Sequence, residues 1–277
     1  EGEWQTSPVF TGLDPNHEYT FYVRLKEDKN HNASPSSAGK PITTKKTMLD
    51  GATVTVSGSY TYTGAAVVPA AGNVTVELNG VTIDASQYTI SATNNVNVGT
   101  STLTVTATAD GNYSGSASTT FTIGTAVLTI KASDQTITYG GSIQTGLDQV
   151  TASGLCNGDT LTDVTVSASA KNAGTYQNGI TVTGAGITRD GEDTAANYVI
   201  SYEAGKLIIS PLTITVTPNS GQKKEYGASD PVLTYTFSPS LIGSDQLSGS
   251  LAYAGENVGA YEITMGTLAA PSENYTL

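Results

Sequence analysis

Two histidines, one cysteine and one run of carboxylates are the residues of this chain whose types suit chemistry: His17, His31, Cys156 and Asp190-Gly191-Glu192-Asp193. A nucleophilic relay or a zinc site needs such groups to converge on one point. His17 and His31 instead fall in separate polar stretches, and both read as surface loop residues. Cys156 sits in Gly154-Leu155-Cys156-Asn157-Gly158-Asp159, with no His or basic residue near it in sequence to favour the thiolate. It reads as a small, partly buried apolar side chain. The carboxylate run offers oxygens to Ca²⁺, which takes roughly six to eight, but it lacks the alternating spacing of an EF-hand loop. A solvated β-turn is the favoured reading, with calcium at Asp190, Glu192 and Asp193 as the alternative. No other carboxylate pair suggests glycoside hydrolysis, which needs two facing carboxyl groups. No catalytic residue, metal or cofactor is expected, and the ligand-binding residues, if any, are unknown at this level.

Three further patterns have chemical readings. Gly184-Ala185-Gly186 is Gly-rich, but a phosphate loop needs a helix N-terminus behind it, and no helical period follows. Intramolecular isopeptide crosslinks require Lys; residues 48–124 contain none, while Lys131, Lys171 and Lys206 keep the option open further on. Tyr is frequent, at 15 against four Phe and one Trp. Exposed aromatics stack on sugars, and Trp4 is the best single candidate, with a plain strand residue as the simpler assignment. Tyr60 and Tyr62 would share one strand face, and Tyr139, Tyr198 and Tyr226 recur at equivalent repeat positions, so a packing role is expected for them.

What must position these residues is a set of repeats. Asn97-Val98-Gly99-Thr100 precedes Asn112-Tyr113, Asn172-Ala173-Gly174-Thr175 precedes Asn197-Tyr198, and Asn257-Val258-Gly259-Ala260 precedes Asn274-Tyr275. The first signature recurs after 75 and then 85 residues, the second after 85 and then 77. Tyr62-Thr63-Gly64, Tyr139-Gly140 and Tyr226-Gly227 mark the upstream side of each pair. A period near 80 residues is one small domain rather than one solenoid turn.

Composition agrees. Charged residues are 13% of the 277, with abundant Thr, Ser, Gly and Val, which suits short strands and tight turns. Residues 1–47 balance six basic against six acidic, whereas 48–124, 125–210 and 211–277 each carry −4. So acidic a chain is repelled by nucleic acid and by anionic membranes. No stretch approaches the roughly 20 apolar residues of a membrane helix, so no membrane insertion is expected of this sequence. With Cys156 alone, no internal disulfide forms.

Four segments follow. In 1–47, Leu13-Asp14-Pro15-Asn16-His17-Glu18-Tyr19 is followed by an alternating run, with Tyr19, Phe21, Val23 and Leu25 on one face. It resembles the C-terminal half of a fibronectin type III domain, whose tyrosine corner ties the Tyr hydroxyl to upstream backbone. Residues 48–124 alternate at Val54-Val56, Val74-Val76-Leu78, Leu103-Val105 and Phe121-Ile123, and Asn79-Gly80 is a hairpin signal because both residues accept positive φ. This segment resembles the immunoglobulin-like repeats of bacterial cell-wall proteins. Residues 125–210 and 211–277 share five landmarks in fixed order: an opening Leu-Thr-Ile strand, a Tyr-Gly, a Gly-rich piece (Asn157-Gly158-Asp159-Thr160-Leu161 or Gly243-Ser244-Asp245-Gln246-Leu247), an Asn-x-Gly-x-Tyr and an Asn-Tyr. They resemble the MBG and YDG repeats of bacterial adhesins. The Asp-x-Leu piece is expected to form a short helical turn capped by Asp.

The fold class expected is all-β: tandem small β-sandwich or β-grasp-like modules in an extended row, with joints near Lys45–Leu49, Gly124–Ala126 and Ser210–Pro211. The first and last segments read as incomplete, and so as the weak points. The adhesin resemblance implies a non-catalytic, extracellular stalk at the bacterial cell surface. It also implies, as alternatives, a module binding host glycans, mucin or matrix protein, or accessory modules of a secreted polysaccharide-degrading enzyme.

Overall fold

The computed structural model describes residues 3–277. The protein is all-β; among the described residues there is no α-helix, and the helical pieces are single 3₁₀ turns such as Ala85–Gln87 and Ala195–Asn197. Two compact units cover residues 1–126 and 127–277.

In the first unit, the leader holds one antiparallel pair, Glu18–Phe21 with Lys40–Thr43. The alternation through Leu25 does not produce strand that far. Val23 and Leu25 are 73% and 75% exposed. Beyond Phe21, serine side chains enter the ladder: Val23 N–H donates to Ser37 Oγ (3.0 Å) and Leu25 N–H to Ser34 Oγ (2.9 Å). Ser37 N–H and Ser34 N–H still donate to Val23 O (2.8 Å) and Leu25 O (3.2 Å), but a hydroxyl in place of each returning carbonyl interrupts the regular ladder, and the side chains face solvent. Trp4 also lies outside any strand. Its ring is packed instead by the Arg24 guanidinium, 4.1 Å from the ring centre, a cation–π contact.

Residues 48–124 form a three-stranded sheet (Thr53–Val56, Val74–Leu78, Val81–Thr82) and a four-stranded one ordered Tyr60–Thr61, Ser116–Gly124, Gly99–Ala107, Tyr88–Thr93. Asn79 and Gly80 take φ of 52° and 81° at the tip of the first hairpin, as its sequence predicts. Period-2 alternation puts Val54, Val74 and Val76 of one sheet, and Leu103, Val105, Phe121 and Ile123 of the other, in the buried set.

In the second unit, residues 127–210 repeat this plan. The long strand Gly174–Arg189 pairs antiparallel with Thr160–Ala168 on one side and Gly205–Ser210 on the other. Gln135–Thr138 then pairs parallel with Gly205–Ser210, just as Tyr60–Thr61 does with Ser116–Gly124. Leu128, Ile130, Ile180, Ile187 and Leu207 are fully buried. Residues 212–276 carry shorter pairs: Leu212–Thr213 with Tyr275–Thr276, Thr215–Pro218 with Tyr235–Ser238, and Ala252–Tyr253 with Ile263–Thr264. In all three segments the strand that begins at the Asn-Tyr tyrosine lies beside the opening strand. The sequence repeat is therefore a topological repeat.

Leu207 sits on the central Gly205–Ser210 strand with no exposed surface. Leu207→Ala should cost about 2–5 kcal/mol. Hydrogen exchange should show the loss across residues 126–210, with residues 48–124 unchanged.

Candidate functional site

The recurrent landmarks of the third and fourth segments converge on one constellation in each. The Asn-Tyr tyrosine leaves a short turn and begins a strand, which points its ring inward. Tyr198 and Tyr275 are buried, at 7% and 4% exposed. A buried phenol needs a partner for its hydroxyl. Tyr198 Oη donates to Asp159 Oδ2 (2.5 Å) and accepts the Cys156 backbone N–H (2.8 Å). Tyr275 Oη donates to Asp245 Oδ2 (2.7 Å) and accepts the Ile242 backbone N–H (2.9 Å). In both segments the Asp lies three residues after the donating amide. One phenol thus latches a Gly-containing turn onto the strand beside the opening one. The Asp-x-Leu piece is consequently not a helical turn. Asn157-Gly158 is a turn that runs into the strand from Thr160, because the Asp carboxylate is spent on the tyrosine rather than on capping amides.

The third-segment latch carries an ion pair as well. Arg189 Nη2 lies 3.0 Å from Asp159 Oδ1, with the carboxylate fully buried, and Thr194 Oγ1 donates to the same oxygen at 3.1 Å. Burial, then the bond to Asp159, pushes the Tyr198 hydroxyl well above the usual tyrosine range. Burial, then the bond to Asp245, pushes Tyr275 in the same direction.

A second recurrent feature is the Asn-x-Gly-x-Tyr loop. Tyr176 Oη donates back to Asn172 O (3.0 Å), and Tyr261 Oη to Asn257 O (2.8 Å). The fold-back fixes the loop's outward amides. In the third segment that loop meets the fourth: Ala173 N–H donates to Asn274 Oδ1 (2.7 Å), and Asn274 Nδ2 donates to Asn172 Oδ1 (3.3 Å). Beside it, the Tyr139 and Tyr275 rings stand edge-on at 5.3 Å. A Cβ on Gly140 would come within 2.2 Å of Ile242 Cδ1. Asn274 thus acts on the neighbouring repeat, while Tyr275 serves both, its hydroxyl latching its own repeat and its ring packing against Tyr139.

The other residues singled out by sequence stay apart. His17 is exposed, edge-on to Tyr19 at 4.6 Å; His31 is exposed beside Asp28. Cys156 is half-buried and contributes its amide to the latch. Asp190-Gly191 forms the two-residue turn (φ 51° and 87°) between Gly174–Arg189 and Glu192–Asp193, and Asp193 accepts the Ala195 N–H. Gly184-Ala185-Gly186 lies within the long strand, where Ala185 N–H donates to Tyr202 Oη. Lys131 and Lys171 are exposed, and Lys206 Nζ lies 3.8 Å from Asp134 in a partly exposed pair. Tyr62 and Tyr198 are buried and Tyr139 half-buried, but Tyr226 is 77% exposed, contrary to the packing role its recurrence predicts. It has no neighbour of the kind that covers Tyr139. The tyrosine corner has the geometry its sequence implies, Asp14 N–H donating to Tyr19 Oη at 2.9 Å.

Sequence reasoning missed Arg189 and the role of Asn274. Arg189 stands 30 residues from Asp159, so only the strand pairing of Thr160 with Thr188 reveals them as neighbours. Asn274 was visible as a repeated Asn before Tyr, but repetition does not say which module the side chain serves.

A family model for the MBG domain (YGX type) matches residues 128–208 and 214–277. The Tyr-Gly steps at Tyr139 and Tyr226 fall within these two matches. No curated protein matches the chain.

Tyr198→Phe removes the O–H from the buried Asp159 carboxylate and the acceptor from the Cys156 amide. It should destabilise the third segment by about 1–3 kcal/mol. The folded state holds the Tyr198 proton above the unfolded value, near 10. The latch therefore stabilises fully below about pH 10 and fails as pH rises toward the folded-state value. Tyr88 and Tyr253 are raised as well, so absorbance titration near 295 nm should show one fewer late tyrosine in Tyr198→Phe than in the intact chain.

Proposed function

Since the chain belongs to the MBG domain (YGX type) family, we propose that it is a non-catalytic spacer of a bacterial cell-surface or secreted adhesin, acting outside the cell. The observation that carries this is the joint between the two MBG repeats. A spacer must resist bending where its modules meet. Here the meeting point is not a bare linker: Asn274 bonds both Asn172 and Ala173, and Tyr275 and Ile242 cover Tyr139 and Gly140. Pro211 adds to it by fixing φ where the chain passes from one repeat to the next. In the third repeat the recurring side chains are used for turns, the latch and this joint. The acidic charge of −12 keeps such a chain soluble and off nucleic acid. The leader, with its tyrosine corner, fits a fibronectin type III element, and residues 48–124, with two sheets, fit an immunoglobulin-like one; both are modules a stalk strings together.

A second reading, binding of host glycans or mucin, draws on the leader. There Trp4, Phe10, Phe21, Ile42 and Arg24 line an open groove of about 750 Å³. Trp4 is 48% exposed, as a stacking platform requires. Binding of the chain to immobilised mucin that disappears in Trp4→Ala would establish it; equal binding by both, or none, would remove it.

Asn274→Ala removes two hydrogen bonds, each worth about 0.5–1.5 kcal/mol. The Ala173 amide should then exchange about tenfold faster or more, with the Tyr198 and Tyr275 latches intact. An Ala173 amide that exchanges as freely in the unaltered chain as in the variant would contradict the spacer proposal.

A further inference from the structure

The joint has two sides, and each MBG repeat carries the residues for both. The receiving side of the third repeat is Tyr139, Gly140 and the Asn172-Ala173-Gly174 loop. The inserting side of the fourth is Asn274, Tyr275 and Ile242. The fourth repeat has its own receiving side, built alike: Tyr226, Gly227 and Asn257-Val258-Gly259. Gly140 and Gly227 share a φ of 80°. Tyr261 folds back on Asn257 as Tyr176 does on Asn172. The difference is cover. Ala173 is half-buried and its amide bonded, whereas Val258 is 89% exposed. Tyr139 is packed against Tyr275, whereas Tyr226 is 77% exposed. A Cβ on Gly140 would strike Ile242, whereas one on Gly227 meets nothing within 4 Å.

We infer that the Tyr226–Gly227 and Asn257–Gly259 face of the fourth repeat is a docking surface for another MBG repeat carried in series, which inserts the side-chain amide of its own Asn-Tyr between Val258 N–H and Asn257 Oδ1. Its tyrosine ring packs edge-on against Tyr226, and an aliphatic side chain equivalent to Ile242 covers Gly227. The face borders a groove of about 350 Å³ whose other walls include Tyr253, Tyr261 and Lys224. Three tyrosines and a lysine also suit a sugar, but the matching face of the third repeat is occupied by protein, and by an asparagine amide in particular. A second copy of this chain is a poorer occupant, because its Asn274 is already engaged within its own chain. The inference rests on the spacer proposal and names the partner that proposal requires.

The test is a chain in which residues 1–275 are followed by a second copy of residues 199–277, so that Tyr275 is continued as Tyr198 is. Amide exchange is followed at Ala173 and Val258. The expected result is Val258 slowed on the order of tenfold relative to the unextended chain, the gain from one charge-neutral hydrogen bond plus cover. Asn274→Ala in the appended copy should return Val258 to its original rate. Gly227→Ala should do so as well, while leaving the unextended chain's Ala173 protection unchanged. Val258 unprotected in the extended chain, whether the appended copy folds or not, overturns the inference. Protection of Val258 in the unextended chain by an added oligosaccharide overturns it in favour of a sugar site. Loss of Ala173 protection in the unaltered chain is a different failure, that of the spacer proposal itself.

Discussion

One buried phenol–carboxylate bond organises each MBG repeat. The chain has few charges and a thin core, so its long-range order depends on a small number of directed contacts. Tyr198 to Asp159, and Tyr275 to Asp245, each tie a turn in the middle of the repeat to the strand that follows the Asn-Tyr step. That strand lies beside the opening strand. Holding it there sets where the neighbouring asparagine points. The latch inside a repeat and the clamp between repeats are therefore built on adjacent residues, and Tyr275 takes part in both.

The two repeats build the latch with different means. Asp159 is fully buried and also holds Arg189 and Thr194. A buried carboxylate shared by a guanidinium and two hydroxyls is well satisfied, yet the same arrangement makes removal of any partner costly. Asp245 is half-buried, with Tyr275 as its bonded neighbour in the latch. The segment 48–124 has no acidic residue in the corresponding role. Its Asn-Tyr tyrosine, Tyr113, is half-buried, and Asn112 N–H is held by Gln87 Oε1 instead. Ser101 takes the place of the fold-back tyrosine and bonds Asn94 O while wholly buried. The plan is shared while the chemistry of its fastening varies, in keeping with a family match that covers the last two repeats.

Much of this was legible in sequence where a rule is local. The all-β class, the Asn79-Gly80 hairpin, the Asp190-Gly191 turn and the alternating core residues each follow from period or turn chemistry within a few positions. Repetition of Asn-Tyr marks the latch tyrosines in the sequence itself. Failures came where the deciding neighbour is distant or of another kind. The run from Tyr19 alternates through Leu25, but after Phe21 serine hydroxyls replace the carbonyls that would accept every second bond of the ladder. Asp159 looks like a cap by its position, and only the register of Thr160 with Thr188 brings Arg189 to it. Tyr226 recurs with Tyr139 yet is exposed, because what buries Tyr139 is the next repeat and not its own.

The central claim is that the two MBG repeats are held as one body by a side-chain clamp rather than joined by a flexible link. Residual dipolar couplings measured for residues 127–210 and for residues 211–277 address it directly. One alignment tensor fitting both sets, splitting into two when Asn274 is changed to Ala, is the predicted result. Two independent tensors in the unaltered chain would contradict it.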